Sequence, residues 1–543
     1  MEIAQHQMAE LCFTAASEVA DPFNELEVDA VFAAPDGSTR RVPGFWCGGR
    51  EWRVRYTSGI VGRHTCVLHC RPAADVGLQG VTGQVTVVPY DGDNPLYRHG
   101  PVRVAADRRH FAHEDGTPFF WLGDTWWMGL SRRLDWPTGF AQLASDRRAK
   151  GFTVIQIVAG LYPDMPAFDE RGANEAGFPW EPGYGRLRPE YYAMADRRLQ
   201  YLVDEGFVPC LVGAWGYFAQ WMGVERLKQH WRYLVARYGA LPVVWCIAGE
   251  ANLPYYLAPG FPFDDREQVT QWTEVARYVH QLDPYSRPLS MHPTGLGRLT
   301  SRGAIDDESL LAFDMLQTGH GLRDVLPATV QTLRDSIAAE PTMPVLNSEV
   351  SYEGLMGTIP AEIQRLTFWT SLLSGAAGHT YGANGIWQVN RPGRPYGASP
   401  HGGNYGTTPW QEAMALPGSR QLAWARRLLC AYPWWRFEPR PEWASYEAAP
   451  TDVPVYEVPY AAGIPGEVRF VYAPQSRGVV VAGLEPGVVY QALAYDPATG
   501  QQSMVGEAVA DSGCRWRCAP PTGIAADWLL VLSVTPAAAV EPV

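Results

Sequence analysis

The chain of 543 residues is 46% hydrophobic and 12% aromatic and carries a formal net charge of −13. Apolar residues along the whole length exclude disorder and collagen-like structure, and at roughly 100–200 residues per domain the chain divides into several domains. The negative charge argues against a nucleic-acid partner, which needs clustered cations, and no run of about 18 apolar residues reads as a membrane span.

The first region, residues 1–95, has short alternating apolar and polar runs at 26–32, 51–56 and 83–88, separated by turn-rich pieces. Strands of period two at this spacing predict a small N-terminal β-sandwich. The middle region, 96–436, alternates near-continuous apolar strands with helical stretches. Strands are predicted at 119–123, 153–158, 208–212, 243–248, 288–292, 311–316, 344–347 and 377–381, with helices at 191–204, 224–238, 265–282, 322–338 and 361–373. Apolar strands between helices imply a parallel sheet covered on its outside, and eight such units fit a (β/α)8 barrel. An open doubly wound sheet is the alternative, but no G-x-G-x-x-G follows an early strand and no phosphate-binding loop motif occurs. Residues 437–543 return to period two at 467–472, 478–482 and 528–534, predicting a C-terminal β-sandwich.

Active groups of such barrels gather at the C-terminal ends of the strands. Those ends present, in order, Asp124 with Trp126 and Trp127, Gln156, Trp215 with Tyr217, Glu250 with Asn252, His292, Gln317 with His320, Glu349 with Tyr352 and Glu353, and Tyr381 with Asn384, Trp387 and Gln388. The set is aromatic, amide and carboxylate with almost no cation, which suits a sugar ring and not a phosphorylated substrate. Glu250 and Glu349 each close an apolar strand, the fourth and the seventh, so they face each other across the barrel mouth. Glycosidic cleavage needs such a pair: one carboxyl protonates the leaving oxygen, and a second, ionised one attacks the anomeric carbon or activates water.

Three motifs, Phe119-Phe-Trp-Leu-Gly-Asp124-Thr-Trp-Trp, Val243-Val-Trp-Cys-Ile-Ala-Gly-Glu250-Ala-Asn and Pro344-Val-Leu-Asn-Ser-Glu349-Val-Ser-Tyr-Glu-Gly, resemble the apiosidase-like glycoside hydrolases (family 140) within the wider retaining (β/α)8 glycosidases. The resemblance covers roughly residues 100–435. It implies a retaining double displacement with Glu250 as acid/base and Glu349 as nucleophile, and an apiose-like or other furanoside as substrate. The wider retaining group has Asn immediately before the acid/base; here that residue is Gly249, and Asn252 follows the acid.

The remaining candidates are substrate-binding. Asp124 and Asn252 are candidates for sugar hydroxyls, His292 and His320 for hydrogen bonds to the ring, Trp126 with Trp127, Trp215 and Tyr217 for pocket walls, and Tyr352 for holding the nucleophile ionised; Gln156, Gln317, Tyr381, Asn384 and Trp387 complete the set. Each has a structural counterpart reading, as a cap, a core aromatic or a turn amide. Two long aromatic loops, 159–187 and 385–412, are expected to wall the pocket and make the enzyme exo-acting. No metal or cofactor is required, and the partner is an oligosaccharide or glycoside, with a homo-oligomer left open. The N-terminus has no basic stretch before an apolar run, and the nine cysteines, odd in number, form no metal-ligand spacing, so a cytoplasmic location is expected. The alternatives are a transglycosylase or inverting glycosidase using the same acids, and a non-catalytic carbohydrate-binding protein.

Overall fold

The computed structural model describes residues 1–258, 265–447, 454–524 and 526–535. Its centre is one eight-stranded parallel sheet closed towards a barrel. The strands are β1 (Trp121–Thr125), β2 (Val154–Val158), β3 (Val208–Trp215), β4 (Val244–Gly249), β5 (Leu289–Ser290), β6 (Asp314–Gln317), β7 (Val345–Glu349) and β8 (Gly378–Tyr381). Every residue of these strands is buried, as parallel strands covered on one side by helices and on the other by the barrel interior must be. Seven helices surround them: α1 (Thr138–Ala149), α2 (Pro189–Asp204), α3 (Phe218–Tyr238), α4 (Arg266–Leu282), α5 (Leu326–Ala338), α6 (Ala361–Leu373) and α7 (Pro417–Cys430).

The fifth connection carries no helix, and the sequence predicts none between 292 and 311. Between β5 and β6 it carries only the 3-10 turns Arg302–Ala304 and Glu308–Leu310, and these two strands share no ladder. The seam closes instead through Ala312 N donating to the Leu289 carbonyl (2.8 Å), the Ser290 hydroxyl donating to Phe313 O (2.7 Å), and the Ser301 hydroxyl accepting from Met315 N (2.8 Å). Fully buried serines thus do the work of the missing ladder, which keeps the buried backbone groups satisfied.

Two β-sandwiches flank the barrel. The N-terminal one packs a five-stranded sheet (Glu2–Ala4, Thr82–Val88, Gly62–Arg71, Glu27–Ala33, Thr39–Pro43) on a three-stranded one (Ala9–Thr14, Glu51–Tyr56, Phe45–Gly48) around Val28, Phe32, Val54, Leu68 and Val85. The C-terminal one pairs six strands with three around Val471, Val481, Trp528 and Leu530.

Both sandwiches are fastened to the barrel by buried charge. Arg55 of the first reaches Asp196 of α2 at 2.5 Å, and Arg237 of α3 shares that carboxylate at 2.8 Å. Burial opposes ionisation of Asp196, but the two guanidiniums hold it well below the usual carboxylate range. On the other side Arg365 of α6 meets Asp527 at 2.8 Å, Tyr472 donates to the same carboxylate at 2.9 Å, and the Trp369 ring stacks on Phe470 and Tyr472. Among the described residues no helix is long and apolar enough to cross a membrane.

Candidate active site

A cavity of about 540 Å³ opens at the C-terminal ends of the strands, within the size range of small-ligand sites. Glu250 and Glu349 both line it. They converge on one donor: Nε2 of Gln317, at the end of β6, lies 3.0 Å from Oε1 of Glu250 and 3.1 Å from Oε1 of Glu349. The second oxygen of Glu250 accepts from the Trp215 indole at 3.2 Å.

Local backbone geometry aims Glu250. The residue has φ of 43°, in the left-handed region that non-glycine residues rarely occupy, directly after β4. Gly249 precedes it because the Trp215 ring lies across that position: a Cβ there would stand 2.3 Å from the indole. Gly216 is likewise compelled, since its Cβ would meet the Glu250 carbonyl oxygen at 2.2 Å. The glycine before the acid therefore makes room for the aromatic wall that donates to it.

The two carboxyls differ in environment. Burial raises the Glu250 pKa well above the usual range, and the nearby Glu349 charge raises it further, against the opposing hydrogen bonds from Gln317 and Trp215. Burial also acts against ionised Glu349, yet the hydrogen bond from His320 (3.0 Å to Oε1) and the fields of His292 and His320 outweigh it and hold that carboxyl below its ordinary value. The Tyr352 hydroxyl also helps to lower it, as expected; among the described residues Oε2 makes no hydrogen bond of good geometry, and His292 Nε2 stands 3.4 Å from it. The environments thus push the two carboxyls apart, Glu250 towards its protonated and Glu349 towards its ionised form.

Of the predicted residues, Trp215, Gln317, His320, Tyr352 and Trp387 line the cavity with the two acids. Tyr352 accepts from the Trp127 indole at 3.0 Å, and the buried Trp387 Nε1 has no partner among the described residues. His292 lies beneath the cavity, behind Glu349 and edge-on to Trp127.

Others are held elsewhere. Asp124 is fully buried and ion-paired with Arg147 of α1 at 2.6 Å, while it also accepts from the Trp126 indole at 2.7 Å. Neither Asp124 nor Trp126 faces the cavity; the wall is Trp127, its neighbour in sequence. Gln156 donates inward to the Ser348 carbonyl, Tyr217 donates to the Tyr162 carbonyl, and Asn252 bridges Asp265 and Thr294 N. Tyr381 donates to Glu353, which also accepts from Gly418 N, and Asn384 accepts from Gln388. These side chains build the barrel end on which the cavity rests.

The two long loops meet over one side of the cavity. The first contributes Pro163 and Asp164, while its aromatics Tyr162, Phe168, Trp180 and Tyr184 pack into the core; the second contributes Trp387, His401 and Tyr405. The Ser399 hydroxyl donates to Asp164 Oδ1 at 2.6 Å, and the Tyr396 hydroxyl to the Pro163 carbonyl at 3.0 Å, tying the loops together. Asp164 is a cavity carboxylate that the sequence reading passes over, and burial raises its pKa. Its one local signal is a φ of 56°, invisible in sequence. Tyr256, Thr294 and Leu355 are further lining residues without a sequence signal. No arginine or lysine is among the described residues that line the cavity.

The family described as "Apiosidase-like, catalytic domain" matches residues 105–436, and a domain of unknown function, DUF5060, matches residues 2–71. No curated protein matches the chain. Among solved structures, one described as a glycoside hydrolase is 21% identical over 82% of this chain and 98% of its own (TM-score 0.67). A glycoside hydrolase family 5 protein from Bacteroides vulgatus is 22% identical over 82% of this chain and 95% of its own (TM-score 0.66). A candidate glycoside hydrolase from the same organism covers 98% of this chain and 99% of its own at 18% identity (TM-score 0.69), so its likeness extends over barrel and both flanks. At these identities the structures speak for the fold alone.

Proposed function

The chain belongs to the apiosidase-like glycoside hydrolases, and from that premise we propose that it is a retaining, exo-acting enzyme that removes a terminal furanosidic sugar, apiose-like or arabinofuranose-like. The observation that carries this reading is the shared donor Gln317. Two contacts of 3.0 and 3.1 Å meeting at one nitrogen keep the bonded oxygens of Glu250 and Glu349 nearer than the roughly 6.5–9.5 Å an inverting pair needs to admit water, and so favour the retaining spacing of about 5–5.5 Å.

In this reading Glu349 Oε2 attacks the anomeric carbon as the glycosidic C–O bond breaks, and Glu250 delivers its proton to the departing oxygen. Esterification removes the negative charge of Glu349 and with it one cause of the raised Glu250 pKa, so Glu250 is then suited to accept a proton from the water that attacks the same carbon and releases Glu349. Trp127, Trp215 and Trp387 would face the ring, and the unpartnered Trp387 indole would donate to a hydroxyl. The loop contacts through Asp164 and Pro163 close one side, which supports removal of end units and not internal cleavage. Residues 96–436 would form the catalytic unit, with 1–95 and 437–543 as braces through Asp196 and Asp527.

The test is the anomer of the first-formed product, followed by NMR on aryl furanosides and pyranosides. Retention with a furanoside is expected; an inverted product, or internal fragments from a long oligosaccharide, would overturn the reading.

A further inference from the structure

Seven arginines are buried among the described residues. Six hold a carboxylate: Arg55 and Arg237 share Asp196, Arg147 holds Asp124, Arg198 holds Glu175, Arg365 holds Asp527 and Arg469 holds Glu485. Arg287, 6% exposed, is the exception. Its Nε donates to the Gly239 carbonyl at 3.1 Å, and among the described residues no carboxylate comes within ion-pair distance of its guanidinium. The nearby Asp283 carboxylate already accepts from the Trp245 indole and from Arg287's own backbone N–H. A buried cation without a counter-charge is costly, and each of the six others has one.

Arg287 faces a second cavity, of about 440 Å³, between the N-terminal sandwich and the barrel. It lies two residues before β5, at the strand ends opposite the Glu250–Glu349 mouth. The charged groups around this cavity are unequal. Arg98 is held by Asp93, His99 by Asp115, and Arg103 by Glu114 at 3.1 Å. Arg40, which enters from the sandwich strand Thr39–Pro43, has no carboxylate partner among the described residues; its guanidinium packs on the Tyr285 ring at 4.9 Å, the same ring that Arg287 approaches at 5.2 Å. His6 completes the lining and is kept towards its neutral form chiefly by burial. Two guanidiniums therefore remain without a negative partner, one from the sandwich and one from the barrel. Burial, with Arg103 nearby, pushes the Arg287 guanidinium down to about 10.

We propose that this cavity binds a phosphate group, free or carried by a sugar, which supplies the counter-charge that Arg40 and Arg287 lack. A phosphate carries close to two negative charges at neutral pH and offers several acceptor oxygens to guanidinium forks. A carboxylate would balance only one of the two cations. The volume exceeds what inorganic phosphate fills and leaves room for an attached sugar. Bound there, the ligand joins groups from both domains and stabilises their contact without touching the mouth.

The experiment follows thermal unfolding of the full chain, with calorimetric titration, at constant ionic strength. Inorganic phosphate is expected to raise the melting temperature saturably where chloride does not. Arg287→Gln is expected to lose that rise, and Arg40→Gln, on the half-buried rim and so safe for folding, to weaken phosphate binding at least fivefold. A tenfold tighter response to glucose 1-phosphate identifies the sugar-borne form, and equal responses identify free phosphate. No saturable response in the unmodified chain, or an undiminished one in Arg40→Gln, would overturn the proposal. The readout is independent of turnover, so it stands or falls separately from the glycosidase reading.

Discussion

Two sectors of the same barrel end use acidic residues in opposite ways. At β4 and β7, Glu250 and Glu349 face each other with amide, indole and imidazole donors around them and no guanidinium. At β1, Asp124 is buried more deeply, and Arg147 from α1 neutralises it at 2.6 Å. Neutral donors leave a carboxyl's proton free to move, with burial and like charge deciding where it rests. A buried guanidinium fixes the carboxylate as an anion and turns it into a fastening. The chemistry of this barrel end thus follows from where its arginines point.

The largest effect that can break this contrast is on turnover. Glu349→Gln is expected to lower kcat by about 10⁴-fold or more, as loss of a nucleophile does, with circular dichroism and melting temperature unchanged within error. Asp124→Asn should do the reverse. It leaves Arg147 with only Asp146 as an acidic partner and is expected to cost about 3–5 kcal/mol of stability in a denaturant melt, while turnover per folded molecule stays within a few-fold. Replacing both partners, Asp124→Leu with Arg147→Met, should recover most of that loss, because an apolar pair carries no desolvation cost. If Asp124→Asn instead abolished activity in a fully stable protein, the two sectors would not differ as described.

How much of this was legible in the sequence follows the same division. The strands could be read because parallel strands buried on both faces are near-continuous apolar runs, and Glu250 and Glu349 because an acid closing such a run is conspicuous. Asp124 closes a similar run and reads the same way. What separates it, Arg147, lies 23 residues on, inside a helix that the sequence reading did not single out because its buried face carries that arginine. The fifth connection carries no helical period in the sequence and no helix in the fold, but its seam was hidden, because Ser290 and Ser301 replace a ladder and serines leave no periodic signal. Trp126 and Trp127 could not be told apart, since only the exit angle of β1 decides which ring enters the cavity. Asp164 was hidden in a loop whose aromatics drew attention but serve the core.

The smallest expected effect sharpens the contrast between the acids themselves. Activity needs Glu349 ionised and Glu250 protonated. Because the Glu349 pKa lies below its usual range, falling pH removes activity only on the acid side of an ordinary glutamate; because the Glu250 pKa is raised, rising pH removes activity only well above that range. The profile of kcat/KM against pH should therefore be a broad bell. His320→Leu removes the 3.0 Å hydrogen bond and the imidazole field that favour ionised Glu349, and is expected to move the acid limb upward. The basic limb should move less, since His320 is not among the largest influences on Glu250. A merely structural role for His320 would lower the plateau and leave both limbs in place, so the position of the acid limb, and not the loss of rate, decides whether an imidazole does at β7 what a guanidinium does at β1.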